Sequence, residues 1–298
     1  MDKYYQWKYL TPSRYNPTKI DPLYATPRII QPKEMKECKY HSIFSSLKGG
    51  SGEGKDEVIK WKNYKQFKNG DMIFELDAEQ RSPPWFLGRA GRITSSKGAE
   101  CIGLSPYNKD LVTTGLEIAG YYEKQRTEEE LKIMNNGVVR EPYAKLHCET
   151  YYKCEIQDRG LLVPSWRPFL GDSPDGETMI ELEGERYRAS VEFKCPVRLY
   201  RGLEERLEVI EEGGDVADDD FTHIKPDHFI QCYFHMYCMN TKFCIYHVCD
   251  FEQETFFSQI IPFEPKFWAW CLQRLDIFEQ YYLRPILRNS PYPILPTH

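Results

Sequence analysis

Polar and apolar residues alternate along several short stretches of the chain, and a period of two is typical of half-buried β-strands. The clearest case is the strand predicted over residues 187–195, where Val191, Phe193 and Cys195 share one face. The other predicted strands are residues 151–158, the segment before Asp172, residues 242–248 and residues 255–262.

Helical patterns separate and flank these strands. A Thr-Glu-Glu-Glu capping box opens a helix predicted over residues 127–134, and a second helix is predicted to start near Gly137 and to carry Glu141. Residues 226–239 and 265–283 are predicted as two further helices. This order predicts an α/β fold with a mixed central sheet flanked by helices.

The N-terminal part differs in composition from the rest. Residues 1–70 carry 14 Lys and Arg against 7 Asp and Glu, whereas the whole chain of 298 residues has a net charge of −6. A Gly-rich stretch near residues 49–54 resembles a nucleotide-binding loop, but Asp56 stands where Ser or Thr would be needed, so a flexible linker is predicted. We therefore predict a basic, aromatic extension over residues 1–80 and one domain over residues 81–298.

Two charged segments fall outside these patterns. Residues 60–68 interleave lysines with aromatic residues, which fits either a base-stacking strand or a surface element with solvated lysines. Residues 204–220 hold nine acidic residues and one arginine. A strongly acidic stretch tends to keep nucleic acid away, although an acidic protein can bind DNA through a locally positive cleft.

Composition also sets expectations about location and metals. No run of 18 apolar residues exists and the N-terminus lacks an apolar signal sequence, so we expect an intracellular protein of cytoplasm or nucleus, neither secreted nor membrane-bound. The ten cysteines include no Cys-x2-Cys pair, so their spacing does not favour a zinc or iron–sulfur site. The histidines show no ligand spacing, and His228 is only a secondary candidate.

Two short motifs contain the candidate catalytic residues. The first is Ser-Pro-Asp-Gly, which ends with Asp175 and Gly176, and the second is Glu-Phe-Lys over residues 192–194. Because side chains alternate along a strand, Glu192 and Lys194 face the same side. With Asp175 on a neighbouring strand, two carboxylates and one ammonium suit divalent-metal phosphodiester hydrolysis. A common turn and a solvated strand pair are the alternative.

Five segments in the same order resemble a known family. Ser-Pro-Asp-Gly and Glu-x-Lys-Cys-Pro are similar to motifs of the PD-(D/E)XK nuclease superfamily, in its lambda-exonuclease-like branch of YqaJ-type viral recombinases. The other three matching segments are residues 85–96, 137–144 and 228–236. The resemblance spans about residues 80–290 and implies a restriction-endonuclease-like mixed sheet flanked by helices.

The resemblance also implies roles for site residues. Asp175, Glu192, Glu141 and the backbone carbonyl of Phe193 would hold Mg²⁺, for which Mn²⁺ could substitute. Lys194 would orient and help to deprotonate the attacking water. Gln231 would position that water or the lysine.

The resemblance also implies a second group of residues, which would bind the end of the DNA. Arg89 and Ser96 would hold a 5′-terminal phosphate, with Thr94 beside them, because a guanidinium and hydroxyls make an anion site. Arg92 would add to the same site. The alternative is that Arg89 is a solvated or salt-bridged residue and that Ser96 only caps a helix.

Together these features predict a Mg²⁺-dependent 5′-to-3′ exodeoxyribonuclease acting on linear double-stranded DNA with a 5′-phosphate. The family implies a role in DNA recombination, repair or viral genome processing, a single-strand-annealing partner, and a homo-oligomer, specifically a trimer. Alternatives are an endonuclease or RNA-degrading enzyme on the same fold, or an inactive DNA-binding protein.

Overall fold

The secondary structure comes from a computed structural model, which describes residues 38–40, 59–105, 110–212, 221, 223–288, 290, 292–293 and 296. The strands are β1 (Trp61–Gln66), β2 (Met72–Leu76), β3 (Ile93–Thr94), β4 (Leu162–Pro164), β5 (Leu170–Gly171), β6 (Gly176–Leu182), β7 (Glu185–Lys194), β8 (Phe243–Asp250) and β9 (Thr255–Pro262). The α-helices are α1 (Pro83–Arg89), α2 (Ser95–Cys101), α3 (Leu111–Ala119), α4 (Glu128–Tyr152), α5 (Arg201–Glu211), α6 (Pro226–Met239), α7 (Pro265–Phe278) and α8 (Arg284–Leu287), and a π-helix (Glu279–Leu283) joins α7 to α8.

The central sheet has the strand order β6-β7-β8-β9. Strands β7 and β8 run parallel, whereas β6 and β9 pair antiparallel to them at the two edges. The chain crosses from β7 to β8 through α5 and α6, since a parallel pair needs a long connection. The α/β fold with a mixed central sheet flanked by helices is therefore confirmed.

The alternation along β7 assigns its two faces to different helices. Ala189, Val191 and Phe193 pack in one apolar cluster with Ala144 and Cys148 of α4. The opposite face of the sheet packs on α6, through a larger core that includes Tyr246 and Val248 of β8 and Tyr233 and Phe234 of α6. Glu192 and Lys194 consequently face α6.

Two smaller sheets hold the rest of the chain to this body. Strand β2 lies between β1 and β4, and β3 pairs in parallel with β5. Residues 61–76, which the sequence analysis assigns to the extension, thus join a sheet with residues 162–164 of the core. Residues 60–68 contain strand β1. The predicted linker at residues 49–54 lies outside the described residues.

Helix α4 differs from the sequence prediction in two ways. It is one continuous helix through Gly137 and Pro142, and it extends to Tyr152, so the strand predicted over residues 151–158 is wrong. Ala144 and Cys148 are its only buried residues, so this helix lies on the surface. There water can bond the carbonyl that proline leaves without a partner, and a glycine costs only about 1 kcal/mol.

Helix α2 packs so tightly on α6 that no side chain fits at Gly98. A Cβ there would lie 2.2 Å from Cε2 of Phe234. This close approach fixes the start of α2 relative to α6. The acidic stretch is helical as far as Glu211, in α5, and its residues 213–220 are outside the described part. No described helix combines the length and apolar character needed to span a membrane.

Candidate active site

The Pro-Asp-Gly turn places its acid at the end of β7. Antiparallel pairing sets Gly176 opposite Val191, so the preceding Asp175 lies beside the Glu-Phe-Lys segment. Its Oδ2 accepts a hydrogen bond of 2.7 Å from the backbone N–H of Phe193. The predicted neighbourhood of Asp175 and β7 is thus present, and this hydrogen bond fixes the carboxylate against the strand.

Glu192 and Lys194 form the centre of the cluster. Only 1% of the Glu192 side chain is exposed, and its Oε1 accepts a hydrogen bond from Lys194 Nζ. The same ammonium donates to Oε1 of Gln231 at 3.0 Å. Strand β7 and helix α6 therefore meet at Lys194. The pair is not the solvated alternative, since the ammonium is held on two sides.

Neighbouring charges strongly affect the ionisation of Asp175, Glu192 and Lys194. Burial raises the pKa of Asp175, and the negative charges of Glu192 and Glu141 raise it further, to well above its usual value. Burial alone would also raise the pKa of Glu192, but the positive charges of Lys194 and His235 outweigh it and lower the pKa to about 2. Burial would lower the pKa of Lys194, but the carboxylates of Glu192 and Asp175 outweigh it and raise the pKa.

Glu141 reaches the cluster from α4, and Arg81 orients it. The carboxylate pairs with the Arg81 guanidinium at 3.0 Å. Arg81 has a positive φ of 66°, a conformation that few residues other than glycine adopt. Sequence reasoning did not find Arg81, because 60 residues separate it from its partner and no motif contains it.

The cluster suits a hard divalent cation. Repulsion among Asp175, Glu192 and Glu141 is what raises the pKa of Asp175 beyond the effect of burial, and a bound cation would relieve it. Carboxylate oxygens are the ligands that Mg²⁺ prefers, together with water and substrate phosphate. The donor set therefore fits, with Asp175, Glu192 and Glu141 as the residues that could hold the ion.

His235 is a further member of this cluster, and sequence reasoning missed it. Its Nδ1 lies 2.7 Å from Oδ2 of Asp172, and its Nε2 lies 2.5 Å from Oε2 of Glu192. His235 and Asp172 are 0% exposed. Burial alone would lower the pKa of His235, but the charges of Asp172 and Glu192 outweigh it and raise the pKa well above its usual value. A charged imidazolium thus joins two buried carboxylates.

A sequence signal for His235 did exist. It follows Gln231 by four residues, which puts both side chains on the same face of α6. Asp172 precedes Asp175 by three residues, just before the turn. His228, the secondary candidate, instead lies 2.7 Å from the hydroxyl of Tyr246 through its Nδ1, and burial lowers its pKa well below the usual value.

Arg89, Thr94 and Ser96 converge on one another as predicted. The Arg89 guanidinium donates to Oγ1 of Thr94 at 3.0 Å and to Oγ of Ser96 at 3.1 Å. It also stacks on the ring of Trp85 at 4.3 Å, and the Trp85 indole N–H donates to Oγ of Ser173 at 3.0 Å. This chain of contacts links the Arg89 cluster to the Pro-Asp-Gly turn.

Arg92 does not join that cluster. Only 1% of the residue is exposed, and its guanidinium donates to the backbone carbonyls of Pro168 and Gly88. Burial lowers its pKa to about 9. Because the side chain is directed into the protein, we correct its predicted phosphate role to a structural one, which ties α1 to the segment before β5.

One comparison with a solved structure supports this fold, and two further structures are less similar. A structure of LHK-Exo in complex with dAMP has a TM-score of 0.50 and 17% identity, over 70% of this chain and 98% of that chain. LHK-Exo, an alkaline exonuclease from Laribacter hongkongensis, also appears in a second structure, with a TM-score of 0.48 and 18% identity over 67% of this chain and 91% of that one. A phage-related exonuclease from Haemophilus somnus 129PT has a TM-score of 0.45 and 12% identity, over 67% of this chain and 96% of that one.

Sequence comparison supports the same relationship at the level of the family. No curated protein matches the chain significantly. The family of the YqaJ-like viral recombinase domain matches residues 84–242, which is more than half of the chain. That range includes the Pro-Asp-Gly turn, the Glu-Phe-Lys strand and the helix of Gln231. The resemblance inferred from the motifs is therefore confirmed, and the chain belongs to the YqaJ-like viral recombinase domain family.

Proposed function

We propose that the protein is a divalent-metal-dependent nuclease that degrades linear double-stranded DNA from a 5′ end. The observation that carries this proposal is the position of the Lys194 ammonium, between Glu192 and Gln231 and close to Asp175. Acids and a lysine in this arrangement suit hydrolysis of a phosphodiester. The exonuclease names of similarly folded proteins and the family membership support the same chemistry.

In this proposal Asp175, Glu192, Glu141 and the carbonyl of Phe193 hold Mg²⁺, and Mn²⁺ can replace it. When bound, the ion would supply Lewis-acid polarisation of the phosphodiester. Lys194, as an ammonium, orients the attacking water and favours its deprotonation by stabilising the hydroxide that forms, and Gln231 keeps the ammonium directed toward the site. The hydrogen bond from Phe193 keeps Asp175 in place.

The direction of degradation rests on the Arg89 cluster. A guanidinium and two hydroxyls within 3.3 Å of one another offer several donors to a terminal phosphate. Trp85 connects the cluster to Ser173, two residues before Asp175. A phosphate held by Arg89, Thr94 and Ser96 would therefore leave a neighbouring phosphodiester near the acids.

The test is digestion of a 5′-phosphorylated linear duplex with Mg²⁺ by the wild type and by Lys194→Ala. We expect progressive loss of DNA with the wild type and a loss of at least about 100-fold in rate with the variant. Lys242→Ala, which removes an exposed lysine of the same domain, is the matched control. Equal digestion rates for the wild type and Lys194→Ala would exclude the proposed role of Lys194. If neither protein digested the duplex, the proposed nuclease activity would be excluded.

Three alternatives are separated by assays with other substrates and by a gel-shift experiment. An endonuclease would nick closed circular duplex, and an RNA-degrading enzyme would digest single- or double-stranded RNA. A DNA-binding protein without activity would retard the duplex in a gel and digest nothing. Roles in recombination, repair or viral genome processing, an annealing partner and a trimer are further parts of the proposal, and light scattering would measure the oligomer.

A further inference from the structure

A second group of ligand-type side chains lies on the other face of the central sheet, opposite Glu192 and Lys194. It consists of His147 on α4 and His247 and Cys249 on β8. The two imidazoles face each other with His147 Nδ1 and His247 Nε2 3.0 Å apart. Counting Cys249 Sγ, all three potential ligand atoms lie within 4.8 Å of one another. We call these three residues the His-His-Cys cluster.

The cluster follows from how α4 packs on the sheet. His247 and Cys249 are two residues apart on β8, so both point toward α4. His147 precedes Cys148, which is one of the two buried residues of α4 and packs in the same apolar layer. The ring of Phe256, on β9, lies 4.5 Å from that of His147 and covers one side.

A hydrogen-bonded relay fixes the orientation of His247. Its Nδ1 lies 2.9 Å from Oγ of Ser258, its register partner on β9, and Ser258 Oγ lies 2.8 Å from the hydroxyl of Tyr152. When Nδ1 donates to the serine, Nε2 carries the lone pair, which is directed at His147 Nδ1 and accepts a hydrogen bond there. Metal-binding histidines are oriented in this way, with the second ring nitrogen bonded to a neighbouring acceptor.

We propose that the His-His-Cys cluster binds a transition-metal ion of the zinc type, through His147 Nδ1, His247 Nε2 and Cys249 Sγ. Imidazole and thiolate ligands select such ions and disfavour Mg²⁺, which prefers the carboxylates across the sheet. The site is independent of the nuclease proposal.

The two imidazole nitrogens need only a small adjustment to accept the ion. Tetrahedral coordination with Zn–N distances of about 2.0 Å separates two nitrogen ligands by roughly 3.3 Å, slightly more than the present 3.0 Å. His147 is partly exposed, which gives the ion a path from solvent. Binding would release the proton of the Cys249 thiol, because coordinating cysteines bind as thiolates.

The expected consequence is a cross-link between α4 and the sheet. Helix α4 has few buried residues, and it carries Glu141 six residues before His147. An ion held by one ligand from α4 and two from β8 would anchor this helix. Zinc binding should therefore raise the melting temperature of the full-length protein, since a ligand that binds only the folded state stabilises it.

The experiment uses the full-length protein stripped of metal with a chelator and titrated with Co²⁺, a spectroscopic substitute for Zn²⁺. We expect the wild type to bind one ion per chain in the cluster, with a near-ultraviolet thiolate-to-cobalt band. His147→Gln and Cys249→Ser should lose the band, and each should weaken Zn²⁺ binding by more than about 100-fold in competition with a chromophoric chelator. Ser258→Ala should keep the band and weaken binding by about tenfold.

Two controls separate the cluster from other sites. Asp175→Asn alters the acids across the sheet, and Cys154→Ser removes a partly exposed cysteine outside the cluster, so both should keep the band. Circular dichroism verifies that each variant is folded. Because His147 is partly exposed, His147→Gln should disturb the core less than the other substitutions in the cluster. Absence of a band in the wild type, or its persistence in both His147→Gln and Cys249→Ser, would overturn the proposal.

Discussion

Replacing His235 with leucine should destabilise the protein by about 3–5 kcal/mol, the usual cost of leaving a buried charge without its partner. The imidazolium lies between the carboxylates of Asp172 and Glu192, and all three side chains are at most 1% exposed. Glu192 would keep Lys194 as a partner. Most of the cost should therefore come from Asp172, whose Oδ1 has no hydrogen-bond partner among the described residues.

The pH dependence of this interaction has a definite sign. The carboxylates raise the pKa of His235 in the folded protein well above its usual value of 6.5. The stabilisation is thus fully present below pH 6.5, where the unfolded chain is protonated as well, and it is lost as the pH rises through the folded pKa. The comparison of variants should be made near pH 6.

The assay is urea unfolding followed by circular dichroism, with His228→Leu as the matched control. His228 is a partly buried histidine on the same helix, and its Nδ1 lies 2.7 Å from the neutral hydroxyl of Tyr246, so its loss should cost about 1 kcal/mol. Adding Asp172→Asn to His235→Leu should recover part of the lost stability, because it removes the unpaired charge. A cost for His235→Leu no larger than for His228→Leu, or no recovery in the double variant, would refute the reasoning.

Three further predictions concern charged side chains elsewhere. Arg89→Ala should abolish the preference for a 5′-phosphorylated over a 5′-hydroxyl duplex in matched digestions, and an unchanged preference would contradict the proposed phosphate site. Arg92→Ala should leave that preference intact but lower the free energy of unfolding by about 1–3 kcal/mol, because the buried carbonyls of Pro168 and Gly88 lose their donor. Thermal melting would measure this loss of stability. Burial opposes the ionisation of Glu177, but hydrogen bonds from Arg188 and Arg159 outweigh this effect and lower the pKa of the carboxyl. The ionised Glu177 therefore stabilises the folded protein above pH 4.5, and this stabilisation is lost as the pH falls below that value. Glu177→Gln should therefore be less stable than the wild type at pH 7. It should also lose less stability than the wild type when the pH falls below 4.5. Unfolding curves of both proteins at pH 7 and at a pH below 4.5 would test this.

Local periodicity and short motifs are enough to predict several features of this protein. Alternation along β7 puts Glu192 and Lys194 on one face, and this follows from strand geometry whatever the rest of the chain does. The same holds for the helical spacing that directs Gln231 inward. The mixed sheet was predictable because the order of strands and helices limits how they can pack.

Which distant residues share a site depends on how the helices and strands pack against one another. Arg81 meets Glu141, Asp172 meets His235, and the His-His-Cys cluster forms through contacts between elements about 60 to 100 residues apart. It also separated Arg89 from Arg92, which occur in one motif although only Arg89 joins Thr94 and Ser96. Local sequence fixes the direction of a side chain on its own element, but its partner is chosen by the packing of all the elements, which no single segment encodes.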